Sequence, residues 1–297
     1  MASIRQIFLR RKAIDSIARM TRTLEMISSA RYKAYSSRWA LTGAYRDALA
    51  RIAYLLATPQ KPIDHPLLRE NSSGRAALLA IGSRRGLCGS YNSEVYHLVE
   101  VHVQEAQTRG RQLDLYVPRS RLESMMAFHG LVPTKVYTDL DELPTARQVR
   151  AIADDFIEQY MSGTLDSFGI VYKRFHSASS QRAQTLTILP LLDLVDDLTT
   201  RAQVMWPWDL TFEDFYMTPS PDRIVEGLAR MLIQYSIQSC FVDAVLSEHL
   251  ARMIAMRNAT DNAEDMIKQL TTDYNRARQS QITSELLDII SGMGSLE

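Results

Sequence analysis

Two long stretches without proline lie at the ends of the chain, and they constrain its fold more than any other feature. Residues 3–57 and residues 222–290 each contain no proline and a single glycine. As continuous helices they would be about 80 Å and about 100 Å long, at about 1.5 Å per residue. A middle domain of the remaining size cannot cover helices of that length. We therefore expect the two helices to pair with each other as an antiparallel coiled coil.

Apolar residues recur at helical spacing in both stretches, which supports this pairing. The N-terminal stripe consists of Ile14, Ile17, Met20, Leu24 and Ile27. The C-terminal stripe consists of Ala263, Met266, Ile267, Leu270, Tyr274 and Ala277. We expect these two stripes to form the contact between the helices.

The middle of the chain alternates between strand and helix patterns. Strands are expected at 76–81, 113–117, 134–137, 168–175 and 185–189, and helices at 93–108, 119–129 and 146–161. This alternation predicts a Rossmann-like α/β domain whose sheet has a parallel component. Residues 190–207 are acidic and are expected to be irregular. The predicted fold class is α/β with long helices, divided into an N-terminal helix (1–57), a central domain (75–190) and a C-terminal helix (209–297).

The charge distribution leaves one competing class of function open. The net charge is zero, but residues 1–57 hold eleven basic and three acidic side chains, a surplus of about +8. Such a helix suits nucleic acid, acidic lipid or acidic protein loops. Arg31, Tyr32, Lys33, Tyr35 and Trp39 give a weak version of the basic and aromatic pattern that nucleic-acid contact needs. A basic coiled coil that binds nucleic acid or a membrane surface is therefore one alternative.

A glycine-rich loop follows the first predicted strand, where a doubly wound fold would bind a phosphate. Residues 82–92 read GSRRGLCGSYN, which matches neither GxGxxG nor a Walker A motif. We interpret the loop as a tight turn. An α/β enzyme with dimerising helical extensions is a second alternative, but no catalytic constellation is visible. Cys88 and Cys240 are isolated, and no window approaches the length of a membrane span.

Three runs of sequence, in order along the chain, resemble the gamma subunit of F-type ATP synthases, the central rotor shaft. Residues 20–30 (MTRTLEMISSA), 84–92 (RRGLCGSYN) and 247–263 (SEHLARMIAMRNATDNA) carry the resemblance. It implies torque transmission without covalent chemistry, no cofactor, and ATP bound by partner subunits. The implied partners are the alpha and beta subunits, an epsilon subunit and the membrane c-ring. The implied location is the cytoplasmic face of a bacterial plasma membrane, reached only through the complex.

The resemblance also implies roles for particular residues. Contacts with the alpha–beta ring fall on Arg22, Leu24, Arg252, Arg278, Gln279 and Thr283. The foot on the c-ring falls on Phe215, Met217 and Thr218, and the signature loop on Arg85, Gly86, Leu87, Cys88, Gly89 and Asn92. Arg84 stands where the family usually has Asp, and Thr218 where it usually has Glu. These departures suggest the hypothesis of a divergent branch coupled to a different ion.

Overall fold

A long helix lies at each end of the chain, although the N-terminal helix predicted over residues 3–57 is described as continuous only to Leu41. The computed structural model describes residues 4–41, 45, 48–51, 54, 65–202, 218 and 221–293. Helix α1 is Ile4–Leu41 and the last helix, α6, is Pro221–Met293. The strands are β1 Arg75–Ala80, β2 Gln112–Pro118, β3 Lys135–Tyr137, β4 Ser167–Ser177 and β5 Ser180–Leu189. The intervening helices are α2 Tyr91–Thr108, α3 Arg121–Phe128, α4 Ala146–Met161 and α5 Leu191–Ala202, after a 3₁₀ turn at Pro66–Leu68.

The five strands form one mixed sheet in the order β3-β2-β1-β4-β5. The pairs β1–β2, β1–β4 and β2–β3 are parallel, and β5 runs antiparallel to β4. Leu78 at the centre of β1 is in register with Leu115 on one side and Gly169 on the other. The predicted α/β domain with a parallel component is thus confirmed.

The two faces of the sheet are both covered, because successive side chains of a strand point to opposite faces. Leu78 and Ala80 of β1 pack with α2 and α3. Ala77 and Leu79 pack with α4, α5 and the part of α6 that begins at Val225. The continuous apolar run of β1 therefore reflects burial on both sides.

Helix α5 is a correction to the sequence analysis, which expected residues 190–207 to be irregular. Residues 191–202 are helical, and the described part of this segment buries an amphipathic stripe at helical spacing. The buried residues are Leu191, Leu194, Val195 and Leu198. The acidic residues between them obscured this spacing, although Asp193 and Asp196 lie on the exposed face as an amphipathic helix requires.

The chain divides into two compact units, and both long helices contribute to each. One unit contains the described residues up to Ala30 together with those from Arg252 onward. The other runs from Arg31 to Ala251 and contains the sheet. We call the first unit the helix pair and the second the α/β unit.

The helix pair is antiparallel, and its contact follows a seven-residue repeat. Ile14 and Ala18 of α1 are buried in one cluster with Ala263, against which Ile267 packs. Further along α1, Thr21 contacts Thr260 through their hydroxyl oxygens, 2.7 Å apart. Partner numbers fall along α6 as they rise along α1, which defines the antiparallel direction. The predicted pairing of the two helices is confirmed.

The predicted N-terminal stripe is wrong in part. Ile14 lies in the contact, but Ile17, Met20 and Ile27 are about half exposed. The contact runs instead through Ile14, Ala18, Thr21 and Ser28, a spacing that keeps one seam facing the partner helix. Small side chains at this seam let the two backbones approach closely, whereas the larger apolar side chains remain on the outer face. On α6, Met266 is likewise 40% exposed.

Candidate functional site

The outer surface of the helix pair presents large apolar side chains to solvent. On α1, Met20 is 53% and Ile27 is 52% exposed, one residue before the buried positions Thr21 and Ser28. The exposed apolar residues of the pair also include Phe8, Leu9, Ile17, Met26, Ile254, Met266, Ile282, Leu286 and Leu287. A monomer rarely exposes so much apolar surface without a partner to cover it. The helix pair is therefore a candidate interaction surface.

Ion pairs join the two helices beside the seam. Arg22 pairs with Glu264, and Arg257 Nε lies 2.9 Å from Glu25 Oε1. Two of these four side chains, Arg22 and Arg257, are more than half exposed, so each pair contributes only about 0–1 kcal/mol. Their main effect is to fix the register of one helix on the other.

The residues implied as ring contacts have different environments. Arg278, Gln279 and Thr283 are exposed, and the Thr283 hydroxyl donates to the Gln279 carbonyl at 2.9 Å. Leu24 is half-buried, and Arg22 is exposed but paired. Arg252 is buried, with 6% of its surface exposed.

The residues implied as the foot lie mostly outside the description. Phe215 and Met217 are outside the described residues, and Thr218 is exposed.

The glycine-rich loop closes on itself through Ser83. The Ser83 amide donates to Asn92 Oδ1 at 2.9 Å, Asn92 Nδ2 donates to Ser83 Oγ at 2.7 Å, and Ser83 Oγ donates to the Arg85 carbonyl at 2.9 Å. Buried Cys88 completes the turn, with Sγ 3.3 Å from Ser83 Oγ. Leu87 has a φ of 64°, in the left-handed region that favours glycine. The signature residues thus build a rigid turn.

The same loop is attached to α6 in a way that disfavours phosphate. The Arg84 amide donates to Glu248 Oε2 at 3.1 Å, and the Tyr91 hydroxyl donates to the Ala244 carbonyl at 3.1 Å. A phosphate at this loop would meet the Glu248 carboxylate at the backbone donor it needs. The Arg84 side chain is exposed, and it is the backbone amide of this residue that makes the contact.

Close packing explains the first glycine of the loop. A Cβ on Gly82 would lie 2.2 Å from Leu122 Cβ on α3. No side chain fits there without movement of the backbone of α3, since the clashing atom is itself a Cβ. Gly86, in contrast, has open space around it, with its nearest heavy atom 4.0 Å from such a Cβ.

A polar cluster that the sequence analysis did not identify links three elements of the α/β unit. The Tyr35 hydroxyl of α1 donates to Glu142 Oε2 at 3.2 Å, and His249 Nε2 of α6 lies 3.1 Å from Glu142 Oε1. The hydrogen bond from His249 lowers the pKa of Glu142 to about 2, against the opposing effect of burial. Burial and the neighbouring Glu142 raise the pKa of Tyr35. Glu142 carries no local sequence signal, because its partners are 107 residues away in either direction.

The aromatic residues near the basic run are packed within the chain. The Tyr32 ring lies 6.2 Å from the Phe175 ring, and the Tyr35 ring stacks on His249 at 5.5 Å. Trp39 Nε1 donates to Asp243 Oδ1 at 2.9 Å. These partly buried rings contact other side chains of the protein itself, so packing within the chain accounts for the aromatic residues of this pattern.

Among the residues that the structure describes, no group of three or more His, Cys, Asp or Glu side chains is placed to hold a metal ion. Among the same residues, no helix joins enough length to enough apolar character to cross a bilayer.

Comparison with known proteins covers the whole chain. A family model described as ATP synthase matches residues 3–296. The ATP synthase gamma chain of Rhodopirellula baltica is 35% identical over 100% of both chains. That of Leptospira biflexa is 30% identical over 98% of both.

Solved structures share the fold. One, of the Euglena gracilis mitochondrial ATP synthase OSCP/F1/c-ring in rotational state 3, contains a chain similar with a TM-score of 0.66 at 17% identity, covering 99% of this chain and 94% of that one. Another, of the rotor of the same enzyme, gives a TM-score of 0.61 at 16% identity, covering 94% and 98%. The paired terminal helices, the central mixed sheet and the match along the full length together show that the chain belongs to the ATP synthase gamma chain family.

Proposed function

We propose that this chain is the central stalk, or gamma, subunit of a rotary F-type ATP synthase. In this role it is a non-catalytic shaft that couples ion flow through a membrane c-ring to ATP synthesis and hydrolysis in a ring of alpha and beta subunits. The observation that carries the proposal is the helix pair, which exposes apolar side chains along its outer face in a chain that matches gamma chains from end to end.

The physical case rests on what such a surface needs. Burying apolar surface contributes about 25 cal/mol per Å², so half-exposed side chains such as Met20, Ile27 and Met266 favour a surrounding partner. The contacts within the pair leave these side chains outside. A ring of subunits around the pair would cover them from several sides while still allowing rotation, because apolar contact is not directional.

We place the ring contacts at the residues that the family resemblance implies. Arg278, Gln279 and Thr283 are exposed on α6 and offer several hydrogen-bond donors and acceptors to passing loops. Arg22 and Leu24 belong to the same surface on α1. Arg252 is buried, so we assign it to support of this surface rather than to an exposed contact.

We place the contact with the c-ring at the residues that the family resemblance implies as the foot. Phe215, Met217 and Thr218 form the foot on the c-ring, and an epsilon subunit completes the stalk. The chain then lies at the cytoplasmic face of a bacterial plasma membrane, held there by the complex. In this arrangement residues 1–57 and 209–297 form the shaft and residues 75–190 form the central domain.

The direct test is assembly. This chain is co-expressed with alpha and beta ATP synthase subunits of the same organism, followed by size-exclusion chromatography and an ATPase assay. We expect co-elution at one copy per three alpha and three beta subunits, with ATPase activity that depends on this chain. A well-folded ring that elutes without the chain would refute the proposal.

A matched pair of variants localises the contact. Ile27→Glu and Phe128→Glu each replace an exposed apolar side chain by a carboxylate, the first on the helix pair and the second, 84% exposed, on the α/β unit. We expect Ile27→Glu to reduce co-elution and Phe128→Glu to leave it unchanged. Equal behaviour of the two variants would contradict a ring around the helix pair.

The ion hypothesis has its own test. Thr218→Glu restores the residue usual in the family, so ring assembly should be unaffected while coupling to the ion gradient changes. Unchanged coupling would remove the hypothesis of a branch adapted to a different ion.

A further inference from the structure

A single carboxylate holds both long helices in the α/β unit. Glu142 lies in the loop between β3 and α4, and its two oxygens face different helices. Oε2 accepts from Tyr35 of α1 at 3.2 Å, and Oε1 is 3.1 Å from His249 Nε2 of α6. The rings of Tyr35 and His249 stack on each other with only 12° between their planes. We call these three residues the Glu142 fork.

The low pKa of Glu142 keeps its carboxyl group ionised at neutral pH. An ionised carboxylate can only accept hydrogen bonds, so both partners must donate. His249 Nε2 therefore carries the proton that points at Glu142. The His249 side chain is buried, so little water competes for this bond. Both arms of the fork are hydrogen bonds to an ionised acceptor, which are stronger than bonds between neutral groups.

The fork lies close, along both helices, to the point where they leave the α/β unit. Tyr35 is five residues beyond Ala30 on α1, and His249 is three residues before Arg252 on α6. Before Ala30 and after Arg252, the same helices belong to the helix pair. Torque that passes along the two helices reaches the sheet through the contacts that both helices make in the α/β unit, and on α6 these contacts extend from Val225 to Leu250.

Several other contacts in this region are apolar or fix α6 alone, as do the hydrogen bonds from the Arg84 amide to Glu248 and from the Tyr91 hydroxyl to the Ala244 carbonyl. The Trp39 and Tyr32 rings meet Phe175 of β4 through apolar contact, which has little directional preference. The hydrogen bond from Trp39 to Asp243 joins α1 to α6 but does not reach the sheet domain. The fork differs because directional hydrogen bonds fix each helix separately to one loop of the domain, and these weaken steeply when the donor angle changes.

We propose that the Glu142 fork is a torque coupling, in which Glu142 is a positioning residue that prevents the two helices from rolling against the α/β unit. This inference rests on the proposed function and assigns Glu142 a role in it. It predicts that loss of the fork uncouples the machine under load without disabling ATP hydrolysis.

The test uses the complete ATP synthase reconstituted in lipid vesicles. The ATP hydrolysed and the membrane potential it generates, read by a potential-sensitive dye, are measured together. For Glu142→Gln we expect ATP hydrolysis by the detached alpha–beta–gamma complex within about twofold of wild type, and a potential per ATP hydrolysed at least about threefold lower, because one charge-assisted arm is lost and the other weakened. Tyr35→Phe removes one hydroxyl only and should give a smaller loss in the same direction.

Two further variants test whether the effect comes from the change of charge, and whether Tyr35 and Glu142 act through the same interaction. Asp141→Asn makes the same change of charge at the neighbouring, exposed position and should leave the potential per ATP unchanged. The double variant Tyr35→Phe/Glu142→Gln should be no worse than Glu142→Gln alone, because both changes remove the same interaction. Fully additive losses would overturn the fork as a unit.

The outcomes separate this inference from the proposed function. A wild-type chain that neither assembles nor generates a potential refutes the function. If the wild-type and Glu142→Gln complexes generate the same potential per ATP hydrolysed, the torque-coupling inference is refuted and the proposed function stands. A Glu142→Gln variant that lowers only the yield or melting temperature of the complex also refutes it, because a merely structural role would do the same.

Discussion

The two halves of helix α6 are built on different principles, although no break separates them. From Val225 to Leu250 the helix is buried in the α/β unit, and its apolar residues contact the sheet and other helices on most sides. From Arg252 onward the helix keeps one buried seam, through Met256, Thr260 and Ala263, and exposes most of its surface. The first half is anchored by its own chain, whereas the second half offers its surface to other chains.

This contrast shows that apolar content alone does not tell where a helix is stabilised. Both halves contain large apolar residues at helical spacing. In the first half these residues meet the domain, and in the second half many of them, such as Met266 and Ile282, face outward. The difference lies in the seam, where small and hydroxyl side chains replace the large ones.

The largest expected effect comes from truncating one isoleucine side chain to alanine in each half of α6. Ile233 is fully buried in the first half and Ile267 is half-buried in the second. Ile233→Ala should lower the free energy of unfolding by about 2–5 kcal/mol, and Ile267→Ala by about half as much. Urea denaturation followed by circular dichroism gives the two values, and hydrogen exchange assigns each loss to its half of α6. Similar losses at both positions would contradict the comparison.

A second expected effect concerns the anchoring of the first half through the glycine-rich loop. Gly82→Ala should cost about 1–3 kcal/mol, because the new Cβ cannot fit beside Leu122. Gly86→Ala in the same loop has open space and is the control, expected to change stability little. Thermal denaturation of the two variants is the measurement, and a stable Gly82→Ala protein would show that α3 moves freely.

The polar seam of the second half should respond more weakly. Thr21→Val leaves the Thr260 hydroxyl without the contact at 2.7 Å, which should cost about 1 kcal/mol. The double variant Thr21→Val/Thr260→Val removes both hydroxyls and should cost no more than the single one. A double-mutant cycle by chemical denaturation measures the coupling, and strictly additive costs would show that the two hydroxyls act independently.

The last expected effect concerns Glu142, whose contribution to stability is present at neutral pH and is lost in acid. Its pKa falls from an ordinary 4.5 to about 2 in the folded chain, so its contribution to stability is complete above pH 4.5 and is lost as the pH falls towards 2. The melting temperatures of wild type and Glu142→Gln should therefore converge between these values. Asp141→Asn serves as the comparison, and a constant difference between wild type and Glu142→Gln would show that Glu142 does not titrate in this window.

Local patterns predicted the fold well where one element carried its own signal. The strands and helices of the middle domain were identified because β-branched and apolar runs alternate with helical spacing. Helix α5 was missed because its acidic residues and flanking prolines concealed the spacing of Leu191, Leu194, Val195 and Leu198. Beyond Ile14, the seam on α1 lies one position after the predicted stripe, at Ala18, Thr21 and Ser28, because the larger side chains lie beside it and the small ones within it.

The functional surface was harder to predict, since it depends on contacts between distant parts of the sequence. The tight turn at residues 82–92 has the closed geometry expected of it, as its bonds are local. The Glu142 fork and the Thr21–Thr260 contact join residues 107 and 239 positions apart, and neither has a motif. A single sequence contains no information on which distant polar groups will meet.

The register of the helix pair leaves the C-terminal end of α6 without α1 beside it. Phe8 of α1 lies opposite Tyr274 of α6, and α1 begins at Ile4. The last residues of α6, about 278–293, therefore extend beyond the start of α1. Residues 278–287 of α6 are exposed, including Leu286 and Leu287. A lone helix of this length is marginal in water. Residues 278–293 would therefore fray in the isolated chain and become ordered where a partner covers them, so that their folding would report on assembly.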